Sequence, residues 1–230
     1  MYYNLSNIAS VDEMKSLFDV TFKYPDIYLK RPLINGLNEE LLPIITDKNI
    51  HEIDFGIWGI LPEDYKEDWG VFQKTMNTLN LSLSDLDSSD RFSLNGRCII
   101  IVTGFFLSYI YKGEIYPFYT YQKSKAPFAL GGVYNTTYDG YITCSMLLTK
   151  ISSKASKHHN IGKLMPLAIS KTNYKSWLSS DYMDMINNNF DDYNELNFQS
   201  HPIAREFYKN EILFDSFLDP TDYESFAIPF

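Results

Sequence analysis

The sequence predicts an α+β domain in which a strand-rich, irregular barrel-like centre is flanked by short helices. Three observations predict it. Strand-length apolar runs rich in β-branched and aromatic residues concentrate between residues 41 and 149. Helical spacing of apolar residues occurs only towards the ends, and strands never alternate with helices as in βαβ units. With 230 residues, 45% hydrophobic and 16% aromatic, the chain can bury one sizeable core, so residues 1–230 are expected to form a single domain.

Taken in order, Ser10-Val11-Asp12-Glu13 is a capping box, and Val11, Met14, Leu17 and Phe18 follow at helical spacing, which predicts a short opening helix. Pro25 and Pro32 interrupt what comes next. Leu41–Thr46 and Ile53–Ile60 are short apolar runs bounded by turn residues and read as strands. The serine- and aspartate-rich stretch from Ser82 to Ser89 reads as a loop or a frayed helix. Cys98 to Phe106 is the strongest strand candidate, expected to be central and buried. Lys112-Gly113-Glu114 predicts a hairpin turn between Leu107–Tyr111 and Ile115–Tyr121. Strands are expected at Phe128–Tyr134 and Tyr141–Thr149, joined through Asn135–Gly140. After Lys171, the spacing of Tyr174, Trp177, Leu178, Met183 and Ile186 predicts one or two short helices before the polar segment Asn187–Asn197.

Composition excludes several classes. A charged fraction of 21% with this hydrophobicity is not that of a disordered chain. No run reaches the roughly 18 apolar residues of a membrane span, and the start lacks a basic-then-apolar leader, so no membrane partner and a cytoplasmic location are expected. Cys98 and Cys144, both inside apolar runs, read as buried thiols rather than a disulfide or a metal pair. The net charge of −9 argues against general nucleic-acid binding, yet it is unevenly spread. From Arg91 to Lys175, eleven basic residues face only Glu114 and Asp139, giving +9 and leaving −18 for the remainder. That segment can present a basic face, although solvated lysines in loops are the plainer reading.

Generic motifs of chemistry are missing: there is no phosphate loop, nucleophile elbow, Cys-x-x-Cys or His-Glu-x-x-His. Adjacent His158 and His159 diverge on any regular backbone and suit a shared metal poorly, so neither a metal nor a cofactor is expected. His51 and His201 have no obvious partners, and the acidic residues of 181–195 read as a solvated loop.

Four segments in order resemble the SOS response-associated peptidase (SRAP) family, whose members recognise abasic sites in single-stranded DNA. Trp58-Gly59-Ile60-Leu61-Pro62 is similar to the family's W-G-L-I-P. Asn77 stands where the family writes N-A-R-x-E, ahead of Arg97-Cys98-Ile99-Ile100 and the turn Gly104-Phe105-Phe106. His159-Asn160 with Met165-Pro166 resembles H-N-x-x-K-R-M-P, and His201-Pro202-Ile203 with Asn210 resembles a late H-P-V-S…N signature. The resemblance spans residues 40 to 210 and implies an irregular β-barrel with flanking helices.

The same resemblance implies a thiol chemistry that this chain lacks. Family members expose a cysteine after the initiator methionine, and its amine and thiol together close a ring on the abasic aldehyde, leaving a DNA-protein crosslink. Tyr2 replaces that nucleophile here, and a phenol with pKa near 10 cannot form the ring. Bulky Tyr2 should also block removal of Met1. The acid/base glutamate after the G-F-F turn falls on Leu107, which holds no proton to exchange. The arginine and glutamate of N-A-R-x-E fall on Leu79 and Leu81, the arginine of R-M-P on Leu164, and an early asparagine or histidine near Leu33. Asn77 and His159 keep their identity, and His159 stands at its catalytic position without the family's nucleophile.

A catalytically impaired member, a pseudoenzyme of the DNA damage response that retains single-stranded or abasic DNA binding, is the reading this supports. Arg97, Lys150, Lys154, Lys157 and Lys163 are the expected phosphate contacts, with Asn77 and His159 near the sugar. The alternative is a noncatalytic protein-binding or scaffold domain with an overwritten cleft, which the acidic charge, the leucines and the 18 tyrosines favour. An active crosslinker or self-processing enzyme is a third reading, which would need a different N-terminus.

Overall fold

The computed structural model describes residues 2–86, 96–179, 196–208 and 215–223. The first part runs β1 (Asn4–Asn7), α1 (Val11–Phe18), β2 (Thr21–Phe22), β3 (Arg31–Asn35), β4 (Leu41–Thr46), β5 (Asn49–Trp58), α2 (Trp69–Thr75), β6 (Asn80–Ser82) and β7 (Gly96–Val102). It continues β8 (Gly104–Tyr111), β9 (Glu114–Gln122), β10 (Phe128–Thr136), β11 (Ile142–Lys150), β12 (Leu164–Pro166), β13 (Ala168–Ile169), α3 (Tyr174–Trp177) and β14 (Phe198–Pro202). The protein is mostly β-sheet with a few short helices, an α+β arrangement. No described helix is long and apolar enough to cross a membrane.

α1 forms where its capping box predicts. Ser10 Oγ accepts from the Glu13 backbone N–H at 3.2 Å, and the Glu13 carboxylate accepts from the Ser10 N–H at 2.6 Å. Asp19 then stops it in the left-handed region, and Met14 is the buried anchor of its inner face.

One sheet has the order β14-β9-β8-β1-β3. The other runs β12-β11-β10-β7-β4-β5-β2, with β6 added to β11 and β13 to β10. Parallel pairing of Thr143 with Ile57 and of Cys144 with Trp58 also joins β11 to β5. Strands β5, β4, β7, β10 and β11 therefore close on themselves as a ring.

The apolar run from Cys98 to Phe106 is two strands rather than one. β7 pairs with β4 and β10 in the ring, whereas β8 pairs with β9 and β1 in the other sheet. The chain changes sheets at Thr103, whose N–H donates to the Ser6 carbonyl at 2.8 Å. Gly104 is required next, because the Tyr119 ring occupies the place of any side chain there. Hydrophobicity runs through the corner undiminished because β7 from Cys98 onward and β8 as far as Leu107 are buried on both faces.

Alternation along β7 divides the interior. Cys98, Ile100 and Val102 face a core with Leu42, Ile44, Trp58, Cys144 and Met146. Ile99 and Ile101 face a second core with Ile45, Ile53, Val133, Leu147 and Trp177. Both cysteines are free and buried as expected, and burial pushes the Cys144 thiol up to about 12 and that of Cys98 well above its ordinary value.

The hairpin at Lys112-Gly113 is a two-residue turn with positive φ at both positions, pairing Tyr111 with Glu114. The β10–β11 hairpin also lies where the sequence placed it. At the other end, α3 is a single turn. Met183 and Ile186 lie outside the described residues, as do the acidic residues of 181–195 and Asn210.

Candidate functional site

The motif residues are held by the ring. Trp58, fully buried, donates its indole N–H to the Leu79 carbonyl at 2.8 Å. Gly59 follows with φ +113°, a conformation that L side chains rarely adopt, and an added Cβ would sit 2.7 Å from Gln73 Nε2 and 2.8 Å from Trp69 Nε1. These contacts fix β6 against β11, with Asn80 opposite Met146. Asn80 Nδ2 then donates to the Tyr2 carbonyl at 2.7 Å, so the ring grips the segment that leads into β1.

His159 reaches the same place from the β11–β12 connection. Its neighbour Asn160 docks on the edge of β8, accepting from the Ile110 N–H at 2.7 Å and donating to the Ile110 carbonyl at 2.9 Å. His159 Nδ1 accepts from the Ser108 N–H at 3.3 Å. The Tyr2 and His159 rings lie 5.7 Å apart, with Tyr2 Oη 3.5 Å from Nε2. The Tyr2 hydroxyl donates to the Leu164 carbonyl at 2.8 Å.

These partners decide the protons. Because Nδ1 accepts a hydrogen bond, the neutral imidazole carries its proton on Nε2, facing the phenol oxygen. Burial lowers the pKa of His159 below its ordinary value, which favours that neutral form. The phenol proton points at a carbonyl, a group that cannot take it. Within the pair, neither ring nitrogen of the neutral imidazole presents a free lone pair to Tyr2 Oη. Leu107, beside Ser108 on β8, is fully buried and adds no acid.

Tyr2 and His159 meet here, and Leu107, the neighbour of Ser108, lies in the same buried cluster as Tyr2. Asn77 does not join them: its Oδ1 caps its own turn, accepting from the Leu79 N–H at 3.2 Å. Asn80, three residues on, is the asparagine at Tyr2, and sequence reasoning missed it. Its Oδ1 is buried with no partner among the described residues. The usable signal was the alternation Leu79-Asn80-Leu81-Ser82-Leu83, a short strand pattern in which Asn80 leads the polar positions.

Lys154, Lys157 and Lys163 are exposed on the β11–β12 connection that carries His159, and Lys150, also exposed, is the last residue of β11 before it. The Ile151 N–H donates to the Lys163 carbonyl at 2.9 Å, drawing the two ends of this connection together. Arg97 lies elsewhere. Its guanidinium donates to the Trp177 carbonyl at 2.8 Å and the Ser179 carbonyl at 2.6 Å, tying β7 to α3. His201 Nε2 lies 2.7 Å from the Leu218 carbonyl, and His158 packs on Phe118. Leu33 packs beside Phe106, Tyr119 and Phe207. Among the described residues no three His, Cys, Asp or Glu side chains gather around a common point.

The family model for SOS response associated peptidase (SRAP) matches residues 5–209. The chain belongs to the SRAP family. Among solved structures it is similar to a protein from Bacteroides thetaiotaomicron at 20% identity and TM-score 0.80, covering 95% of this chain and 99% of that one. A protein from Bordetella bronchiseptica matches at 14% identity and TM-score 0.68, over 88% of this chain and 99% of that one. A phage-related protein from Bordetella bronchiseptica matches at 11% identity and TM-score 0.59, over 88% and 94%. These likenesses establish a shared fold. No curated protein matches the chain.

Proposed function

We propose that this SRAP-family protein binds single-stranded DNA without capturing it covalently, its closed ring of strands serving as the family's irregular barrel in a single domain. The observation that carries the reading is the joint placement of His159 and three exposed lysines on one connection, with a fourth, Lys150, at the end of the strand that leads into it. Lys150, Lys154, Lys157 and Lys163 supply phosphate contacts around a centre whose nucleophile position holds Tyr2 and whose acid/base position holds Leu107. Asn80 serves as the counterpart of the motif asparagine in place of Asn77. Ser82 and Ser84, hydrogen-bonded to each other at 2.7 Å, then stand at the positions of its arginine and glutamate. Arg97 is reserved for the fold by its two carbonyl partners.

The test is to incubate the protein with abasic and undamaged single-stranded oligonucleotides at low salt and run matched native and denaturing gels. The expected result is a shift on the native gel alone. If four phosphates are neutralised, log K should fall against log salt with a slope of about −3. A species that survives denaturation would overturn the noncovalent reading. A second reading, a protein-binding scaffold, is favoured by the plugged cleft, where Tyr2 is 6% and Leu107 0% exposed. It predicts no shift on either gel.

A further inference from the structure

A recess away from Tyr2 and His159 has a different chemistry. Its volume is about 520 Å³, within the range of small-molecule sites. The end of α1 forms one wall with Leu17 and Phe18, α3 and the residue that caps it form the other with Tyr174 and Leu178, and the floor is Ile45 and Ile99 from two central strands of the ring. The Phe18 and Tyr174 rings are stacked at 4.9 Å, 20° from parallel, so the walls meet in a fixed aromatic pair. Such a floor on rigid strands is pre-formed rather than assembled by a ligand.

The rim carries charge. Lys171 and Lys175 are exposed there, with no ion pair among the described residues, and Asp19 is the one carboxylate among the lining side chains. Ser16, Thr172 and His51 add hydrogen-bonding groups. Apolar walls beside two ammonium groups, neither of them ion-paired among the described residues, complement a ligand with a flat apolar body and an anionic head. We propose that this recess binds small aromatic anions, with Lys171 and Lys175 holding the anionic group and the partly exposed Leu17, Phe18, Ile50 and Tyr174 holding the ring system. The proposal is independent of DNA binding at the lysines around His159.

The probe is 1-anilinonaphthalene-8-sulfonate, titrated into the folded protein with fluorescence and calorimetric readouts. Saturable binding at one site per chain is expected. Lys171→Glu and Lys175→Glu should each weaken it about tenfold or more, the effect of losing one charge-assisted contact. Both positions are exposed, so the thermal midpoint should stay unchanged. N-phenyl-1-naphthylamine, which lacks the sulfonate, should bind more weakly and respond little to either variant. Non-saturable fluorescence, or equal affinity in wild type and both charge reversals at unchanged midpoint, would overturn the proposal. Oligonucleotide binding measured on the same variants keeps the two sites distinguishable.

Discussion

Arg97→Met separates a structural arginine from a DNA-contacting one. The wild-type guanidinium donates to the carbonyls of Trp177 and Ser179, its side chain is 18% exposed, and Nη2 lies 4.0 Å from an Asp47 oxygen. A hydrogen bond from a charged donor contributes about 1.5–3 kcal/mol, and a deserted, part-buried carbonyl adds a desolvation cost. Methionine keeps much of the stem packing, and water reaches part of the site, so the expected loss is about 3 kcal/mol rather than the full sum. Asp47 is not stranded, since the Arg97 backbone N–H still donates to it at 2.9 Å and Tyr134 Oη at 3.1 Å. For a chain of this size, that loss corresponds to a midpoint lowered by about 6–12 °C. The assay is thermal denaturation of both proteins, with single-stranded DNA affinity measured across salt well below the midpoint. The salt slope should be unchanged. A stable variant with weakened DNA binding and a shallower slope would refute the reasoning and return Arg97 to the phosphate contacts.

Gly59→Ala should destabilise the protein by about 2 kcal/mol, because it combines strain at φ +113° with contacts to Gln73 and Trp69, and chemical denaturation would measure it. The buried thiols predict that the folded protein leaves Cys98 and Cys144 unmodified by a thiol-reactive dye at pH 8, with both reacting in denaturant; rapid reaction of the folded protein would contradict their burial. His158, His159 and His201 all have pKa values lowered first by burial, from an ordinary value of 6.5. The unfolded chain therefore binds more protons just below pH 6.5, so stability is complete above that value and falls as the pH drops through it towards 5. His159→Gln should flatten the dependence, and a midpoint that is level from pH 7.5 to 5 in wild type would contradict it.

Much of the architecture was legible because it rests on local chemistry. The capping box of α1 and the turn at Lys112-Gly113 each need only neighbouring residues to act. Short strands such as β1, β3 and β14 were not legible, since their pairing depends on partners far along the chain. The same limit concealed the corner at Thr103, where the deciding partner is Ser6.

The candidate site divides in the same way. The sequence by itself determined the residue types: a phenol at Tyr2, leucine at 107, a histidine at 159 and a lysine-rich connection, with the family resemblance that names their positions. Tertiary structure alone decided which groups meet. It brought Asn80 rather than Asn77 to Tyr2, turned the phenol proton to a carbonyl, and drew Arg97 into the fold. The physical reason is range: a turn or a cap is set by bonds within a few residues, whereas a proton's direction is set by whichever acceptor packing brings within about 3 Å.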